Sequence, residues 1–192
     1  MRITGFIGSP RKNGNTDRLI QEILNSASLI GVETEIVYLN DLNVRECQAC
    51  MQCKEKDLRC AVNDDMQELY PLIEASDAVV LGSPIYIGNI TGLMKTFIDR
   101  WYAYAGVPDV KKLPPGKRVL LVLPYGREEA NLFDHVARQI GQALKYVFGA
   151  KVESWMVPGL RDAPDAMDRA DLMQHAGRIG VALTEGRRID QM

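Results

Sequence analysis

The chain has 192 residues, 46% hydrophobic and 25% charged, which is enough to bury one substantial core and does not call for a second domain. Its 23 Lys and Arg against 25 Asp and Glu leave a net charge of −2, and no long basic run offers the footprint of a nucleic-acid binder. The opening Met1–Gly8 meets a turn too soon for a signal peptide, and no segment approaches the roughly 20 apolar residues that span a bilayer, so a cytoplasmic protein with neither nucleic-acid nor membrane partners is expected.

In chain order, short β-branched and apolar runs at Arg2–Gly8, Thr34–Tyr38, Ala78–Gly82, Val119–Pro124 and Val152–Val157 predict five strands. Helical patterns fall between and after them, at about Thr16–Ser28, Asp65–Ala75, Gly92–Tyr104, Leu132–Phe148 and Ala166–Glu185. Strict alternation of this kind predicts a parallel sheet covered on both faces, because parallel strands need crossovers and helices supply them. Two connections exceed the few residues usual in such units: Leu39–Asp64, and Tyr104–Lys117 with Pro108, Pro114 and Pro115. Pro158–Pro164 reads as no more than the link from the fifth strand to the last helix.

The first strand runs into Gly8-Ser9-Pro10-Arg11-Lys12-Asn13-Gly14-Asn15-Thr16 and then a helical pattern. A helix N-terminus preceded by hydroxyl and amide side chains favours an anion, with Ser9, Asn15 and Thr16 as added donors. The spacing departs from both GxxxxGK[ST] and GxGxxG, so a monophosphate ester is expected rather than a triphosphate or dinucleotide. Turn formation and helix capping alone would also explain these residues.

The long connection after the second strand carries Cys47, Cys50, Cys53 and Cys60, a C-x2-C-x2-C-x6-C pattern. Without a secretory signal these are thiols, metal ligands or redox groups rather than disulfides. Four thiolates in a compact triplet plus one suit a [4Fe–4S] cluster; a four-cysteine zinc site and a metal-free loop remain open alternatives.

After the third strand comes Ser83-Pro84-Ile85-Tyr86-Ile87-Gly88-Asn89. In the strand order 2-1-3-4-5 the ligand crevice lies between strands one and three, so this loop adjoins the phosphate loop, and its apolar, aromatic and amide groups suit a flat isoalloxazine ring. A tight connection with one buried tyrosine is the plainer reading. His135 and His175, the two histidines, fall on predicted helices away from the cysteines and read as surface groups.

Gly8-Ser9-Pro10-Arg11 with Gly14-Asn15-Thr16, then Ser83–Tyr86, then Phe97-Ile98-Asp99-Arg100, resemble the NADPH-dependent FMN reductase family over roughly Met1–Val157. The resemblance implies a single flavodoxin-like α/β domain, a three-layer sandwich with the cysteine-rich insertion at about 39–64. It implies phosphate contacts at Ser9, Arg11, Asn15 and Thr16, with Asn13 also among the cofactor-binding residues, ring or ribityl contacts at Pro84, Ile85, Tyr86, Ile87, Gly88 and Asn89, and an approach to the other side of the ring by Tyr125 and Gly126. Asp99 and Arg100 are read as structural. The cysteine pattern before Asp64-Asp65-Met66 is similar to the iron–sulfur flavoprotein branch, which implies a [4Fe–4S] cluster beside FMN in a homodimer or homotetramer. The expected function is electron transfer between FMN, the cluster and an external partner such as a ferredoxin or NAD(P)H. The rivals are a cluster-free NAD(P)H-dependent reductase of flavin, quinone or another small acceptor, and a redox-sensing or zinc-stabilised interaction protein. No catalytic side chain is expected, because the chemistry belongs to the cofactor.

Overall fold

Apolar residues that run nearly unbroken through a strand require cover on both of its faces, and three of the strands here are of that kind. The computed structural model describes residues 1–55, 59–105, 113, 116–161 and 165–189. Its elements are β1 (Arg2–Ile7), α1 (Asn15–Ser28), β2 (Glu33–Tyr38), α2 (Met66–Ala75), β3 (Ala78–Gly82), a two-stranded hairpin of β4 (Ile85–Tyr86) and β5 (Asn89–Ile90), α3 (Gly92–Arg100), β6 (Arg118–Pro124), α4 (Asp134–Phe148), β7 (Lys151–Val157) and α5 (Ala170–Thr184). Short 3-10 turns sit at Leu39–Asp41, Gln52–Lys54 and Trp101–Tyr104.

The main sheet runs β2-β1-β3-β6-β7 with every pairing parallel, which is the expected order once the hairpin strands are left out of the count. Alternate strand residues feed opposite faces. Ile3, Ile7, Val80, Leu120 and Val122 pack with α1 and α5, while Phe6, Val79, Leu81, Leu121 and Leu123 pack with α2, α3 and α4. The result is the three-layer flavodoxin-like sandwich, with the central strands buried and the edge strands β2 and β7 half-exposed.

Three boundaries differ from expectation. The helix predicted to reach Tyr104 ends at Arg100 and tightens into the 3-10 turn that buries Trp101 and Tyr104. The last helix starts at Ala170, because the described residues before it form turns. The segment after β3 is a hairpin rather than an irregular loop; its tip, Ile87 and Gly88, has both residues at positive φ (46° and 73°), the backbone of a tight two-residue turn. Most of the proline-bearing Tyr104–Lys117 connection and Pro164 lie outside the described residues. Among the described residues no helix is long and apolar enough to cross a membrane.

Candidate functional site

The carboxyl edge of the sheet gathers four loops into one cleft with about 440 Å³ of empty space, partly open to solvent. The first supplies Ser9, Arg11, Gly14, Asn15 and Thr16; the second Pro84, Ile85 and Tyr86; the third Pro124, Tyr125 and Gly126; the fourth Leu160 and Arg161. This is where ligands bind in open parallel sheets, because connections leave β1 and β3 for opposite faces.

Gly14 precedes α1 and, as a glycine, makes no side-chain cap bond to the helix, and the positive end of the helix dipole faces the cleft. The loop is shaped from beneath by Asp17, which is buried and accepts from Asn13 N at 2.6 Å, Gln21 Nε2 at 2.7 Å and the Tyr38 hydroxyl at 3.1 Å. That grip holds Asn13 at φ 60° and outside the cleft lining. Ser9 Oγ accepts from Arg11 N at 3.2 Å, closing the turn on the cleft side. Lys12 pairs instead with Asp41 at 2.6 Å and lies over the Tyr38 ring, which leaves Arg11 as the basic side chain of this loop in the lining. Asn15 lines the cleft, and its Oδ1 also accepts from Ala166 N at 3.0 Å, tying α1 to the approach of α5.

The first and second loops are fixed to each other. Gly8 N donates to Gly82 O at 2.8 Å, the Thr91 hydroxyl donates to Gly8 O at 2.6 Å, and Thr91 N donates to Ser83 Oγ at 2.9 Å. Thr91 also accepts from Met94 N and so caps α3. The hairpin holds Tyr86 half in solvent at the cleft, whereas Ile87 is fully exposed and Gly88 and Asn89 stay out of the lining; the Asn89 side chain accepts from Ile90 N. Tyr125 is buried, with its hydroxyl donating to Glu129 O and Ala130 O, so the phenol braces its own loop.

Two lining residues, Leu160 and Arg161, carry no expectation from the sequence. Leu160 N donates to Tyr125 O at 2.9 Å and Gly159 N to Arg127 O at 2.8 Å, which brings the segment after β7 against the third loop and sets Arg161 beside Gly126. The described part of the Pro158–Pro164 segment, residues 158–161, is therefore more than a link. Its position just past the carboxyl end of a parallel strand was the signal available. Among the described residues the cleft lining contains two guanidinium groups and no carboxylate, although the chain is net acidic. A helix N-terminus, hydroxyls and guanidinium fit a phosphate ester, and Pro84, Ile85 and Tyr86 fit a planar ring, so the residues present suit FMN.

The cysteine loop lies beyond α3. Cys53 is buried, Cys47 and Cys60 are half-buried and Cys50 is exposed, all four as thiols without disulfides. Ala49 and Met51, between the cysteines, sit at φ 50° and 62°, which curls the chain within each three-residue interval. Among the described residues no three His, Cys, Asp or Glu side chains stand together as a metal site. The donor set still suits a four-thiolate group. Cys60 is held by the core: Arg100 Nη2 lies 3.4 Å from its sulfur, and the Arg100 guanidinium pairs with Asp64 Oδ2 at 2.5 Å and Oδ1 at 3.1 Å, both side chains fully buried. Burial pushes the Asp64 carboxyl up, but hydrogen bonds from Arg100, Arg45 N and Met66 N outweigh it and hold the group below the usual carboxylate range. Lys54 closes the loop's other side, its Nζ donating to Tyr102 O and Ala105 O and lying 3.7 Å from the Tyr102 ring centre. The histidines stay apart: His135 is exposed, and His175 packs on Trp155 with its pKa lowered by burial.

The family model for NADPH-dependent FMN reductase matches residues 1–160. The chain is 41% identical over 111 residues to an iron–sulfur flavoprotein of Archaeoglobus fulgidus, covering 58% of this chain and 50% of that one. It is 38% identical over 100 residues to the iron–sulfur flavoprotein of Methanosarcina thermophila, covering 52% of each. The chain thus spans about half the length of these curated relatives. Among solved structures, the NAD(P)H:quinone oxidoreductase of Methanothermobacter marburgensis superposes with a TM-score of 0.73 at 16% identity, over 96% of this chain and 97% of that one, a likeness of fold. A cleft at the carboxyl edge of the sheet, a hairpin laid beside its first loop and a family match running unbroken through both lead to one assignment: the chain belongs to the NADPH-dependent FMN reductase family.

Proposed function

We propose that the chain is an FMN-dependent oxidoreductase that passes electrons between FMN in the cleft, a [4Fe–4S] cluster on Cys47, Cys50, Cys53 and Cys60, and an external partner. The observation that carries the flavin reading is the convergence of four loops on a cleft with two guanidiniums, a helix N-terminus and, among the described residues, no lining carboxylate. FMN accepts two electrons as hydride and can release them singly, which suits it to join a nicotinamide nucleotide to a one-electron centre. The residues bind and orient: the α1 terminus, Ser9, Thr16 and Arg11 receive the phosphate, while Pro84, Ile85, Tyr86 and Gly126 flank the ring. The donor is a small ferredoxin-like protein or NAD(P)H, the setting is cytoplasmic, and the assembly is a homodimer or homotetramer in which the exposed Tyr86 and Ile87 meet a neighbouring copy.

A second reading, a cluster-free NAD(P)H-dependent reductase of a small acceptor, draws support from the cysteines not being gathered as a metal site among the described residues. Purification without oxygen, with a visible spectrum and measurement of FMN, iron and acid-labile sulfide per chain, separates the two. Flavin with about four irons and four sulfides is expected. Flavin with neither, after anaerobic reconstitution, selects the cluster-free reductase, and absence of FMN affinity sinks both.

A further inference from the structure

The cleft does not use Arg100, the largest charged side chain buried in the core. Its Nη1 donates to Arg45 O at 2.8 Å and to Asp64, and its Nη2 to Asp64, to Val62 O at 3.4 Å and to the Cys60 sulfur, while Nε finds no partner. Arg45 precedes the first cysteine and Val62 follows the last, so one guanidinium from α3 clasps both ends of the cysteine loop. A buried ion pair is weak as a stabiliser, since apolar residues of similar size often do as well or better. What an apolar replacement could not supply is a permanent positive charge and an N–H group aimed at one chosen sulfur.

We propose that Arg100 is a positioning residue that holds Cys60 and raises the reduction potential of the cluster ligated there, with Asp64 acting in the opposite sense. The proposal rests on the cluster reading above. One-electron reduction adds negative charge to the cluster and its thiolates, so a donor and cation beside Cys60 favour the reduced form, and the carboxylate behind them disfavours it. Burial limits the screening of both charges.

The opposed signs give the test. The full chain and its R100Q, R100K and D64N variants are reconstituted anaerobically with iron and sulfide, and the midpoint potentials of cluster and flavin are measured in the same samples by spectroscopic redox titration. R100Q is expected to move the cluster potential down, R100K to move it down by less, and D64N to move it up, with the flavin potential unchanged. R100Q and D64N break the same ion pair, so a purely structural role predicts similar losses of stability or iron in both and no opposed shift. Iron-loaded variants whose cluster potentials stay put, or move in the same direction, overturn the proposal and leave the cluster reading standing. If R100Q does not hold iron, D64N and R100K decide, and the absence of an upward shift in D64N overturns it. A wild-type chain that takes up no iron sinks the cluster reading itself, and this proposal with it.

Discussion

Gly82 ends β3 at the point where the second loop leaves the sheet, and a methyl group there would overlap the Ile20 side chain and lie 2.9 Å from Thr16 Cγ2. Thr16 lines the cleft beside the first loop, so the absence of a side chain at Gly82 lets two lining segments close on each other. Gly82→Ala is expected to destabilise the fold by about 1–3 kcal/mol through overpacking and to weaken FMN binding by displacing Thr16. Urea unfolding and quenching of flavin fluorescence on titration would measure the two effects; a variant with native stability and affinity would show that α1 can shift without cost. Asp17 makes the complementary point. A carboxylate in the first turn of α1 looks ill-suited to an anion site, yet its oxygens point to Asn13 N, Gln21 and Tyr38, shaping the loop instead of competing for the ligand.

At the scale of elements, periodicity made the five parallel strands and their helices legible, because buried strands and amphipathic helices advertise their faces in sequence. Ser9, Arg11, Thr16 and Tyr86 were legible as cleft-lining residues, since each lies in the connection, or the start of the helix, that follows the carboxyl end of a strand. Arg161 was not: what brings it to the cleft is a backbone bond from Leu160 to Tyr125, which no spacing encodes. The hairpin was hidden for a similar reason, because Ile87 at positive φ contradicts the preference of β-branched residues. The cysteine loop shows how an irregular element is secured. Burial works against the Asp64 carboxylate, yet the bonds it accepts from Arg100, Arg45 N and Met66 N hold it below the ordinary range. A depressed folded-state value means that this stabilisation is present above the unfolded carboxylate pKa of about 3.9 and is lost as pH falls through the folded value. The melting-temperature gap between wild type and Asp64→Asn should therefore be widest near neutrality and narrow on acidification towards about pH 3. A gap that stays constant over that range would mean that Asp64 does not titrate with unfolding.

For the molecule as a whole, a net charge of −2 coexists with a cleft whose described lining holds two guanidiniums and no carboxylate. Attraction of an anionic ligand is therefore expected to be local, from Arg11, Arg161 and the α1 terminus, against the overall sign. Arg161→Ala is expected to raise the FMN dissociation constant severalfold at low ionic strength, with the difference shrinking as salt rises, because the guanidinium is exposed to screening. Calorimetric titrations at two salt concentrations provide the check, and an unchanged constant at low salt would remove Arg161 from the ligand's reach. The bond from Ala166 N to Asn15 Oδ1 joins residues 151 positions apart at the edge of this cleft. The lining is therefore complete in no stretch of the chain shorter than Ser9–Arg161, and a fragment that stops at the end of β7 would carry the first loop without Arg161 and without the bond that ties α1 to the approach of α5.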